Sequence, residues 1–165
     1  MQTHRIITGT VILLGALLSG CGHPPVRADF AALRADDGRP LNASQDTVIK
    51  ISRSLLGTPY RFGGITPEGF DCSGFINYVY RNALGLTLPR MAKDLRHSGV
   101  AIPVSDLRPA DLVFFKIERQ KPLHVGIYLG QGRFIHAPSS GGRVNIQELE
   151  MNYWKDRFLG ARRLI

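Results

Sequence analysis

Residues 124–138 read HVGIYLGQGRFIHAP. Two apolar segments flank Gly130-Gln131-Gly132, the pattern of strands folded back through a tight turn. Counted as a three-residue turn with glycine at its left-handed position, it sets Leu129 opposite Arg133 and Gly126 opposite His136. Pro138, opposite His124, has no N–H for the ladder and marks where pairing stops. With a period of two, His124 and His136 fall on one sheet face as diagonal neighbours, roughly 7 Å apart. A two-residue turn would shift the register by one and send them to opposite faces.

Further strands are expected over residues 112–117, 143–146 and 158–165, separated by Gly, Pro and Gln turns. Earlier in the chain the apolar period is helical. Val48, Ile51 and Leu55 share one helix face, with Ser44 as the expected N-cap and Gly57 and Pro59 ending the run. Residues 57–64, GTPYRFGG, read as loop. Phe75, Ile76, Val79, Tyr80 and Leu84 predict a helix over 72–84 closed by Gly85, and a short helix follows over 91–97. Helices first and short-looped strands afterwards predict an α+β fold, N-terminal helices packed on a five- to six-stranded antiparallel sheet. The length of 165 residues holds one domain and a short appendage. With 44% hydrophobic and 21% charged residues, disorder throughout is excluded.

The only long apolar run, residues 6–18, lies near the N-terminus behind Arg5, which excludes a polytopic membrane protein. Thirteen residues make a helix of about 20 Å, short of a hydrocarbon core of about 30 Å, so the run reads as a secretory signal rather than a span. Leu18-Ser19-Gly20-Cys21 resembles the bacterial lipobox, which implies cleavage after residue 20 and lipid on Cys21. Residues 21–43 are then a tether reaching at most about 75 Å, and a domain begins near residue 44. Gly22, rather than Asp, after the anchor implies an outer-membrane lipoprotein facing the periplasm. The formal charge of +8 suggests an anionic partner; export withdraws nucleic acid and leaves an acidic envelope polymer. The chain has two cysteines, so lipid on Cys21 leaves Cys72 with no disulfide partner.

Cys72 stands in Asp71-Cys72-Ser73-Gly74-Phe75, where a helix begins. Free backbone N–H groups and the helix dipole there favour a thiolate, the reactive form. A free cysteine is also commonly a small buried hydrophobe. With a base the position becomes chemical: Cys72 as nucleophile, His124 as its base, His136 as the group that orients the base. Two other readings stay open on composition alone, an inert pair of strand histidines and a zinc site on Cys72, His124 and His136.

The stretches GTPYRFGG, DCSGF, LPR, ADLVFF, HVGIYLG, FIHAPSS and ARRLI, in that order, resemble the NlpC-type family of bacterial cell-wall peptidases. The resemblance runs from about residue 48 to the end. It implies a papain-like cysteine peptidase core with a Cys-His-His set on Cys72, His124 and His136. It also implies that Tyr60 helps stabilise the oxyanion, that Ser73 lines the substrate cleft and that Asp71 is the acid before the nucleophile. The implied activity is that of a murein endopeptidase, cutting amide bonds of stem peptides or cross-links through a thioester without metal or cofactor. Alternatives are an amidase at the sugar–peptide junction or an acyl transferase using the same thiol, and, from another class, a non-catalytic peptidoglycan-binding lipoprotein. The implied partners are peptidoglycan peptide stems and the lipid bilayer that holds the anchor. The chain departs from the family pattern at Ala110, where glycine is usual, and at Lys93-Asp94-Leu95, where a glutamine is common.

Overall fold

The run Leu112-Val113-Phe114-Phe115 has no polar alternate, so as a strand it must be covered on both faces. The computed structural model, which describes residues 40–117, 122–139 and 142–165, places these residues in strand β4 (Leu112–Phe115), all four fully buried. Leu112 and Phe114 join a core with the helices, while Val113 and Phe115 join a second core behind the sheet. The expected signal peptide, Cys21 and the tether up to residue 39 lie outside the described residues.

Helix α1 (Ala43–Ser54) is capped by Asn42, not by Ser44. Asn42 accepts from the Gln45 backbone N–H, and the Gln45 side chain accepts from the Asn42 N–H, so two orphan donors are satisfied reciprocally. Asn42, with Gln three residues on, completes a box that Ser44 does not. After the loop comes a two-strand hairpin, β1 (Ile65–Thr66) and β2 (Gly69–Phe70), then helix α2 (Cys72–Leu84). Asp71 caps α2 at one end and Gly85, at φ 69°, closes the other. Phe75, Ile76, Val79 and Tyr80 bury the apolar face of α2 against the sheet. The expected helix over 91–97 shortens to one turn, α3 (Ala92–Leu95).

The main sheet runs in the order β3-β8-β4-β5-β6-β7, all neighbours antiparallel. Its members are β3 (Val100–Ile102), β4, β5 (His124–Gly130), β6 (Arg133–His136), β7 (Asn145–Glu148) and β8 (Phe158–Arg163). Between β7 and β8 lies one helical turn, α4 (Asn152–Lys155).

The β5–β6 turn corrects the sequence reading in an instructive way. Gly130 pairs with Arg133, leaving a two-residue turn of Gln131 (φ 52°) and Gly132 (φ 69°). Two positive φ values match the twist that tight hairpins require. That turn alone would have parted the histidines, but a bulge between Tyr128 and Gly130 inserts one residue and restores the count. Ile127 therefore still faces Ile135, and both histidines stay on one face.

Ala110 adopts φ 74°, a conformation that glycine takes without strain. Its carbonyl accepts from the buried Tyr80 hydroxyl, which fixes the turn from α2's side. Close approach of backbone decides Gly74. A Cβ there would lie 2.0 Å from the Gly64 carbonyl oxygen, on the loop that covers the start of α2. Gly74→Ala is expected to push that loop outward and lower stability by about 1–3 kcal/mol, measured by urea denaturation.

Candidate active site

Asp71, at the cap of α2, is the most heavily bonded carboxylate of the cleft. It accepts from the Gly74 N–H at 2.7 Å and the Gly63 N–H at 3.1 Å. Arg90 adds an end-on fork, Nη1 to Oδ1 at 3.0 Å and Nη2 to Oδ2 at 2.5 Å. The same Nη1 donates to the Ser73 hydroxyl at 2.8 Å. Asp71 and Ser73 are thus tied together by one guanidinium, a planar donor suited to that double grip. Arg90 closes the Leu88-Pro89-Arg90 stretch, and the sequence alone does not reveal this role. No local spacing signals it, because Arg90 lies 19 residues beyond Asp71.

With Asp71 occupying the Gly74 N–H, the N–H groups of Cys72 and Ser73 are left at the helix start, and both favour negative charge on the Cys72 sulfur. The N–H of Val125, the second residue of strand β5, does the same. Burial opposes them more strongly, and Asp71 adds like-charge repulsion, so the thiol is pushed up to about 11. The helix-start N–H groups act in the direction the sequence suggests, but desolvation and the neighbouring carboxylate outweigh them. Tyr60 sits in the same electrostatic neighbourhood: burial, then Cys72 and Asp71, raise its phenol, and Arg90 opposes them.

His124 Nε2 and His136 Nδ1 lie 2.7 Å apart, with the rings at 88°. Only one proton fits between two nitrogens at that distance, so one ring donates and the other accepts. If His124 donates from Nε2, its Nδ1 keeps a lone pair free to take a proton. Both rings are buried, His124 at 7% exposure and His136 at 1%. Burial lowers His124 to about 4, and burial with the neighbouring ring lowers His136 well below the ordinary range. Asn145, facing His136 across β6 and β7, works weakly the other way. His136 Nε2 itself is buried without a well-formed hydrogen bond.

The nucleophile candidate and the base candidate arrive from opposite sides of the sheet. Cys72 packs against the helix-side core, while the histidine rings lie among Phe115, Phe134 and Trp154 behind it. What links them is the start of β5, where Val125, the residue next to His124, presents its N–H to the sulfur. A thiol, an imidazole with a free nitrogen and a second imidazole that fixes the first suit acyl transfer. Among the described residues no three His, Cys, Asp or Glu side chains gather as a metal-ligand set. His124 and His136 turn nitrogens toward each other rather than toward a common point.

Comparison with known proteins follows the same residues. A model of the NlpC/P60 family matches residues 57–163, which include Tyr60, Asp71, Cys72, Ser73, His124 and His136. The probable endopeptidase NlpC of Escherichia coli (strain K12) is 40% identical over 158 residues, covering 93% of this chain and 97% of that protein. The murein DD-endopeptidase MepH of the same organism is 41% identical over 114 residues, and the chain spans 42% of its length. Among solved structures, the NlpC/p60 domain of the peptidoglycan hydrolase SagA superposes with a TM-score of 0.64 at 32% identity, covering 74% of this chain and 99% of that one. A helix-start cysteine, two joined histidines and a match across most of the folded part converge on one assignment: the chain belongs to the NlpC/P60 family.

Proposed function

We propose that the protein is a lipid-anchored peptidoglycan endopeptidase of the bacterial envelope, held at the outer membrane by Cys21 and facing the periplasm. The observation that carries the reading is the 2.7 Å bond between His124 and His136 at the end of the strand whose Val125 N–H serves the Cys72 sulfur.

Burial raises the Cys72 thiol and lowers His124, which favours a first step in which attack is coupled to proton transfer. The sulfur forms a bond to the amide carbonyl carbon as its proton passes to His124 Nδ1. The N–H groups of Cys72 and Ser73, with the Tyr60 hydroxyl, hold the oxyanion. His124 then gives its proton to the departing amine, and the C–N bond breaks to leave a thioester on Cys72. Water attacks the thioester as His124 takes a proton from it, and the proton returns to the sulfur when the C–S bond breaks. His136 keeps the His124 ring in one orientation throughout. Arg90, Asp71 and Ser73 form a polar wall beside the sulfur that receives the substrate backbone.

The substrate class is stem peptide or cross-link, with bonds made by D-amino acids such as D-Glu to diaminopimelate or the link to D-Ala. MepH, named as a murein DD-endopeptidase, supports the cross-link. The full mature chain incubated with purified sacculi tests the reading. Soluble peptide-bearing fragments with new amino termini are expected. Glycan stripped of peptide would mark an amidase instead, and wall bound but chemically unchanged would mark a binding protein.

A further inference from the structure

Trp154 is the chain's one tryptophan, on the single turn α4. Its indole stacks on the His124 ring at 5.8 Å and 26°, and meets the His136 ring edge-on at 5.0 Å and 82°. Phe115 and Phe134 flank it at 4.9 and 5.1 Å. The turn that carries it is pinned at its base. Arg157 lies 4.1 Å over the Tyr153 ring and donates from Nη1 to the Tyr153 carbonyl. The Lys116 N–H donates to the Arg157 carbonyl just beyond β4.

An imidazole held at one nitrogen can still rock about its ring bonds, and a rocked ring misplaces the other nitrogen. We propose that Trp154 is a positioning residue of the site: its indole face fixes the plane of the His124 ring and keeps water from the His124–His136 bond. This rests on the reading of Cys72, His124 and His136 as the catalytic set. His136 faces His124 from β6, and β4 and α4 face it with Phe115 and Trp154; the Cys72 sulfur of α2 lies by the N–H of the adjoining Val125. Loss of the indole therefore admits water without exchanging one charge for another.

Trp154→Ala, Trp154→Leu and Trp154→Phe in the full mature chain separate this role from core packing. Rates are taken on soluble cross-linked muropeptides and expressed per folded molecule. Trp154→Ala is expected to lower kcat at least about tenfold with little change in KM, as a misplaced base does. The acid limb of its pH profile should move up from about 4 toward 6.5 as the ring becomes hydrated. Trp154→Phe should restore both in large part, and Trp154→Leu, apolar but without a flat face, should not. His124 titration followed by NMR without substrate should show the same ordering. Equal behaviour of the Leu and Phe variants, or a kcat and His124 titration unchanged in Trp154→Ala, would overturn the proposal. If the wild-type protein leaves every muropeptide uncut, the functional reading fails, and the NMR titration alone still decides the role of Trp154.

Discussion

Cys72→Ala should abolish release of peptide fragments from sacculi, lowering the rate at least about a thousandfold, the scale on which removal of a covalent nucleophile acts. In the proposed reaction the sulfur carries the acyl group, and no neighbouring residue is placed to take over that role. Asp71 is committed to Arg90 and to two backbone N–H groups, Ser73 holds its hydroxyl on the same guanidinium, and Tyr60 is a weaker nucleophile raised further by burial. The fold should suffer little, because the cap and the Gly85 end of α2 make no use of the thiol and only its packing on the helix-side core is lost. A small shift in urea denaturation beside lost activity is the expected pair of results. His124→Ala should cost as much as Cys72→Ala, whereas His136→Ala should cost less, since it acts through His124. Full digestion by Cys72→Ala would remove the mechanism.

Acid should destabilise the protein over a defined window. His124 ionises near 6.5 when unfolded and near 4 when folded, so between those values the unfolded chain binds the extra proton. Its contribution, about 3 kcal/mol from that difference, is fully present above 6.5 and is lost as pH falls through 4. His136 shifts in the same direction and adds to the slope. Asp111 works the other way near its own range, because burial raises it in spite of Arg163. Urea midpoints at pH 7, 5.5 and 4 measure the effect. A steep fall in the wild type and a flatter one in His124→Asn are expected; equal slopes would show that the histidine pair is not dry.

Much of this arrangement was legible in the residues, and the exceptions have physical causes. Helix α2 could be bounded because both ends carry their own chemistry, Asp71 as cap and Gly85 in the left-handed conformation. The shared face of His124 and His136 followed from a period of two, although a two-residue turn with a compensating bulge replaced the three-residue turn. The strand expected at 143–146 lies instead at Asn145–Glu148, because Arg143 is drawn into a bridge with Pro59 and Val144 bonds to Thr58. Strand β3 gives no signal since its three residues, two exposed and one half-buried, carry no alternation, and α4, one turn long, carries no period. The Arg90 fork and the Trp154 stack are long-range contacts, set by packing that no local pattern encodes.

In the proposed reaction everything turns on the acyl group residing on Cys72. Mature protein mixed with cross-linked muropeptides, quenched in acid within the first turnovers and weighed intact, tests it directly. The expected result is a mass increase equal to the acyl half of the substrate, mapped to the peptide containing Cys72 and absent from Cys72→Ala. Cleavage that proceeds with Cys72 unmodified, and persists in Cys72→Ala, would contradict it.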